Sequence, residues 1–118
     1  MRTRDMHAVF APTFATSADD PPTMVRVSRS GRRARIVQID GELDVASRGM
    51  VRHACVTGRR TEVVVEMAET TFMDCSGYGG LIAARRILRR HGGSLTLRNQ
   101  SGQPAELLAM LAQLESPN

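Results

Sequence analysis

Phe72-Met73-Asp74-Cys75-Ser76-Gly77-Tyr78-Gly79-Gly80-Leu81 is the stretch on which the reading of this chain turns. A strand-like apolar run, Val63-Val64-Val65, precedes it, and a helix-like run from Leu81 to His91 follows. The segment therefore sets one serine at a strand-to-helix junction, beside an acid and ahead of Gly77, Gly79 and Gly80. A helix N-terminus gathers unpaired backbone N–H groups and the positive end of the helix dipole, so it favours an anion such as phosphate. Ser76 reads as a phosphorylation switch rather than a catalytic nucleophile.

Working outward, the remaining elements fall into a short series. Met24 to Ser30 alternates apolar and polar residues through Val25 and Val27, as a half-buried strand does. Ser30-Gly31-Arg32 is a turn, and Ile36, Val37 and Ile39 mark a second strand that makes a hairpin with the first. Ser47 is the expected N-cap of a helix through Met50, Val51, Ala54 and Cys55, which Gly58 stops. Thr61 to Met67 is apolar and β-branched, the composition of a central buried strand. A helix opening near Asp74 to Ser76 carries Tyr78, Leu81, Ile82 and Leu88 at roughly helical spacing and closes at Gly92-Gly93. Ser94 to Leu97 alternates as a fourth strand. Pro104 suits the first turn of a last helix with Leu107, Leu108, Leu111 and Leu114 as its stripe. The order ββαβαβα predicts an α/β fold: a mixed four-stranded sheet with about three helices and helical crossovers between the later strands. Residues 1–23, with Pro12 and the Asp19-Asp20-Pro21-Pro22 run, are expected to be a disordered N-terminal arm, leaving 24–118 as the domain.

The motif and the element order coincide with a family. Phe72 to Gly79 resembles the "D-S-S-G-L-G" signature of STAS domains of the anti-sigma factor antagonist type. Asp40-Gly41-Glu42-Leu43-Asp44-Val45-Ala46-Ser47 resembles the family's "G-E-L-D-x-A-T" block. The likeness runs from about Met24 to Leu114. It implies a single STAS-type domain and a partner-switching role. The unphosphorylated antagonist would bind an anti-sigma factor that is also a serine-protein kinase, which phosphorylates the motif serine, here Ser76; a separate phosphatase would reset it. It also implies a partner-binding surface around Glu42, Asp44, Asp74, Cys75, Ser76, Gly77 and Tyr78. Two residues depart from the pattern. Cys75 replaces the first motif serine, and Tyr78 stands where an aliphatic residue is usual.

Composition narrows the alternatives. The 118 residues allow one domain, and a 42% hydrophobic content is enough for a core that must rest on aliphatic side chains, since aromatics are 3%. All 16 basic residues are Arg, which excludes a P-loop lysine, a Schiff base and a lysine general base. The net charge of +4 raises nucleic acid as a partner. The arginines are scattered, however, and few aromatics exist to stack on bases, so no direct nucleic-acid partner is expected. No apolar run approaches a membrane span and no signal-peptide h-region is present, so a cytoplasmic protein without a membrane partner is expected. A homodimer stays open.

Ile82 stands where a dinucleotide loop needs its last glycine, no Gly-Lys pair supports a Walker loop, and Asp74 occupies the first glycine position of a hydrolase elbow. No enzyme activity and no cofactor are expected. Gly77, Gly79 and Gly80 are better explained by close approach of helix and sheet. Ser76 is equally placed to be an N-cap. Asp74 is either a local backbone acceptor or a recognition group, and Asp44 either a capping acid or a partner contact. Cys75 is most simply a buried, inert cysteine; the alternative is a redox thiol near a helix N-terminus, with Cys55 as a minority disulfide partner. His7, His53 and His91 lack ligand spacing, so no metal site is expected.

Overall fold

The computed structural model describes residues 6–10, 23–58 and 62–115. It is an α/β domain with three helices and a mixed sheet in the order β1-β2-β3-β4-β6, with β5 attached to β3. Strand β1 is Met6–Phe10, β2 Met24–Ser30 and β3 Ala34–Leu43. Helix α1 spans Arg48–Val56, β4 Glu62–Glu66, β5 Thr70–Met73, α2 Cys75–Arg90, β6 Ser94–Arg98 and α3 Gly102–Glu115.

The expected α/β order holds, with two strands added. The first is β1, which pairs antiparallel with β2 inside the segment expected to be a disordered arm. Thr23, the last residue of that segment, is buried and bonded to β3, and residues 1–5 and 11–22 lie outside the described residues. The second is β5. Its origin lies in β3, which is long enough to serve two parallel neighbours in succession. Residues Ala34 to Gln38 pair with β4, and Gly41 to Leu43 pair with β5. Gly41 sits at the change of partner with φ +107°, a conformation open chiefly to glycine, and its N–H donates to Glu69 O at 3.0 Å. Thr70 Oγ1 donates to Ile39 O at 2.8 Å, satisfying a carbonyl in the gap between the two pairings.

The β2–β3 hairpin and the central position of β4 are as the patterning predicts. Val25, Val37, Ile39, Val63 and Val65 turn to the core, where they meet Val51, Ala54 and Cys55 of α1 and Leu81, Ala84 and Leu88 of α2. On α2 the buried residues are Gly77, Gly80, Leu81, Ala84 and Leu88, one face at helical spacing. Two details fix how the helices end. Arg35 on β3 donates through its guanidinium to the carbonyls of Ala54, at 3.2 Å, and Thr57, so it caps the C-terminus of α1. Glu66, at the end of β4, is 9% exposed and accepts from Arg98 Nε at 2.5 Å, from Asn99 Nδ2 and from the Ala68 N–H. Burial alone would raise its pKa, but the hydrogen bonds from Arg98, Asn99 and Ala68 and the Arg98 charge outweigh it and hold the carboxyl below its usual value.

Candidate functional site

The carboxyl ends of parallel strands are where open α/β sheets place their sites, and here the ends of β3 and β5 meet the start of α2. Glu42 pairs with Phe72 and Leu43 with Met73. The Asp74 N–H donates to Leu43 O at 3.2 Å. The Glu42–Asp44 block and the serine motif, some thirty residues apart in sequence, are thereby joined by backbone hydrogen bonds.

Each motif residue now has a place. Asp74 is the N-cap of α2: it is extended, and its Oδ1 accepts from the Gly77 N–H at 2.8 Å. Ser76 is therefore not the cap. It is the second residue of the helix, half-buried, and its hydroxyl makes no hydrogen bond to any described residue. Cys75 is not the buried residue expected: it is exposed at the first helical position, ahead of the turn that packs Gly77 onto β3. Gly77 is buried, and its contribution is internal. A Cβ there would lie 2.2 Å from Leu43 O, so only glycine lets α2 close onto β3. At Gly80 a Cβ would come within 3.0 Å of Arg48 Cβ, so this glycine sets the approach of α2 to α1. Gly79 faces open space.

The Glu42–Asp44 block divides in role. Asp44 Oδ1 accepts from the N–H groups of Ala46 at 3.1 Å and Ser47 at 3.2 Å, closing the turn into α1. Ser47 is the N-cap residue of α1, as expected, but its side chain makes no cap hydrogen bond to the helix. Its hydroxyl instead donates back to Glu42 O at 2.9 Å and accepts from the Asp44 N–H at 3.0 Å, tying the turn to β3. Thr23 Oγ1 also donates to Glu42 O, at 2.7 Å. These bonds use the Glu42 backbone. The half-buried Glu42 carboxylate makes no hydrogen bond or ion pair with a described residue.

Residues that periodicity did not mark complete the rim. Val45, in the turn after Asp44, is 66% exposed, and Phe72, on β5, is 40% exposed. Large apolar side chains exposed beside an unengaged serine make a surface suited to a protein partner. Both lie inside the two motif stretches, which is their one signal in the sequence. Tyr78 points elsewhere: it is partly buried against the core and lines an apolar groove of about 570 Å³ between α2, α3 and β6. Gln103, at the start of α3, also escaped the sequence reading. Its Oε1 accepts from the Met73 N–H and its Nε2 donates to Met73 O, both at 2.8 Å, so one amide completes the hydrogen bonding of β5 just before the site.

The two cysteines differ. Both are free thiols, and Cys55 is fully buried. Burial pushes its thiol up to about 12, with Arg35 opposing only in part, so it stays protonated at neutral pH and is a core residue rather than a redox partner. Among the described residues no three His, Cys, Asp or Glu side chains come together as a metal site would need, and no helix is long and apolar enough to cross a membrane.

Residues 26–117 match the sequence profile of the STAS domain. The chain belongs to the STAS domain family. Its fold is similar to that of the anti-sigma factor antagonist SpoIIAA in its unphosphorylated form, with a TM-score of 0.61 and 22% identity over 76% of this chain and 82% of that one. It is also similar to an antisigma-factor antagonist STAS domain from Rhodobacter sphaeroides, with a TM-score of 0.53 and 25% identity over 64% of this chain and 84% of that one. No protein of curated function matches this STAS domain by sequence.

Proposed function

We propose that this STAS domain is a non-enzymatic anti-sigma factor antagonist. It binds an anti-sigma factor that is also a serine kinase, phosphorylation of Ser76 releases it, and a phosphatase restores it. The observation that carries the reading is the state of Ser76: with Asp74 serving as the cap, its hydroxyl is spared from structural duty and sits on a rim with Cys75, Glu42, Val45 and Phe72.

The physics of such a switch is local. Phosphorylation adds about −1.5 to −2 charges at pH 7. The N-terminal end of α2 tolerates added negative charge within the domain. A partner that must bury the serine against apolar Val45 and Phe72 does not, because the phosphate would lose its hydration. The modification therefore blocks docking and leaves the fold intact. Incubation with ATP and the cognate kinase, followed by site mapping, should find phosphate on Ser76 alone. Ser76→Ala should keep partner binding and Ser76→Glu should weaken it. Equal affinity of the two variants would sink the switch. A second reading, an interaction module without phosphoregulation that responds to oxidation at Cys75, draws on the exposure of that thiol beside Ser76.

A further inference from the structure

Helices α1 and α2 carry Arg48, Arg52, Arg85, Arg86, Arg89 and Arg90, all exposed, and not one Asp or Glu. Several pairs stand at i and i+4, where like charges repel and weaken the helix. Arg48 and Arg52 make no ion pair with any described residue. Arg89 and Arg90 suit the C-terminal end of the α2 dipole, whereas Arg48 opens α1, where the dipole disfavours a positive charge.

Where the two helices meet, this charge borders a depression. A groove of about 270 Å³ is lined by Arg48, Gly49, Arg52, Gly79, Gly80 and Ala83. Gly80 brings the helices together, while Gly49 and Gly79 have nothing within 4 Å of where a Cβ would stand. Exposed backbone at Gly49 and Gly79 therefore lines the groove together with the exposed Arg48 and Arg52. The groove is also continuous with the candidate site, since Gly79 and Gly80 lie one helical turn from Ser76.

The chemistry selects among occupants. The volume lies below the roughly 300–1,000 Å³ usual for small-molecule sites, and suits the side chains of a docked segment. No aromatic side chain lines the groove, so it lacks the stacking platforms on which single-stranded nucleic acid relies. No large apolar side chain lines it either, as insertion into a lipid surface would require. Guanidinium forks match carboxylates and phosphates alike, and a groove without stacking or apolar insertion residues leaves the carboxylates of a protein segment as the fitting anions. We propose that the α1–α2 groove docks an acidic segment of the protein partner that acts on Ser76, with Arg48 and Arg52 pairing its Glu or Asp side chains. The identity of that partner rests on the switch reading above, whereas the preference for an acidic segment rests on the groove itself.

The probe is a short Ala-based helical peptide with Glu at i and i+4, titrated into the full chain by NMR. Shifts should centre on Arg48, Gly49, Arg52, Gly79, Gly80 and Ala83, and should weaken as salt is raised. Arg48→Gln/Arg52→Gln should lower affinity about tenfold, and Arg89→Gln/Arg90→Gln, which removes the same net charge, should change it less than twofold. At Gly79 a Cβ meets nothing within 4 Å, so Gly79→Leu should keep the wild-type far-UV spectrum and melting temperature and still lose the peptide. Absent shifts, equal effects of the two double variants, full binding by Gly79→Leu, or equal occupancy by an oligonucleotide or phosphatidylglycerol vesicles would each overturn the proposal. The cognate kinase separates the two readings. If it fails to bind the wild-type chain, the switch reading falls. If it binds wild type and Arg48→Gln/Arg52→Gln equally, the groove proposal falls.

Discussion

The glycines after Ser76 predict opposite outcomes for one substitution. Gly77→Ala places a methyl carbon 2.2 Å from Leu43 O and 2.8 Å from Leu43 C. The obstacle is strand backbone, which no rotamer change can move. Ordinary contact begins near 3.4 Å, so α2 and β3 must separate by about 1.2 Å. That movement strains the Asp74 N–H bond to Leu43 O, now 3.2 Å, and loosens the core cluster to which Leu43 and Leu81 both belong. Overpacking of this kind costs roughly 1–3 kcal/mol, and a lost hydrogen bond adds about 1 kcal/mol. The gain in helix propensity from Gly to Ala returns at most about 1 kcal/mol. The net is a loss of about 2 kcal/mol. Gly79→Ala meets no atom within 4 Å and keeps the propensity gain, so it should stabilise by roughly 0.5–1 kcal/mol. Urea unfolding followed by far-UV circular dichroism suits a chain with no Trp and one Tyr. At a slope of about 2 kcal/mol per molar urea, Gly77→Ala should lower the midpoint by roughly 1 M, and Gly79→Ala should raise it by a few tenths. A Gly77→Ala midpoint at or above wild type would refute the close approach of α2 to β3. A destabilised Gly79→Ala would refute the open outer face.

Three further outcomes test the surroundings of the site. Asp74→Ala should cost about 1 kcal/mol of stability by removing the cap on Gly77 N–H, and Asp74→Asn should cost little, since Asn caps as well as Asp; equal losses in thermal melts would count against capping. Gln103→Ala leaves both backbone groups of Met73 without their partner and should cost roughly 1–3 kcal/mol, with faster amide exchange at Met73 than in β4 as the local signature. Glu66 has a folded pKa below its unfolded value, so its stabilisation is fully present above the ordinary carboxylate range and is lost as pH falls through the folded pKa. Glu66→Gln should therefore melt below wild type at pH 7, and the gap should narrow below about pH 4; a gap independent of pH would rule out the charged pairing with Arg98.

What could be read from the chain depended on the length of the signal. Strands β2, β3, β4 and β6 and all three helices announce themselves through apolar periodicity over five or more residues, which records burial on one face. Strand β5 is only Thr70-Thr71-Phe72-Met73, too short for a period, and exists because Gly41 turns β3 from one neighbour to another. Capping was legible in kind but not in assignment. Ser, Asp and Ser stand at Ser47, Asp74 and Ser76, and any of them can cap; backbone geometry gave the α2 cap to Asp74 and turned Ser47 back onto β3.

The sequence by itself determined that this is an α/β STAS domain with one serine set at a strand-to-helix junction, because motif, periodicity and element order are all local properties of the chain. Only the tertiary structure decided which residues surround that serine. Pairing β5 with β3 sets Glu42 opposite Phe72 at the end of the sheet from which α2 and Ser76 start, and buries Gly77 against Leu43. Packing of the helices hides Cys55 in the core and leaves Cys75 exposed. Packing α2 against α1 across Gly80 sets Arg48 and Arg52 beside exposed backbone. These are contacts between segments tens of residues apart, and a one-dimensional pattern does not carry them.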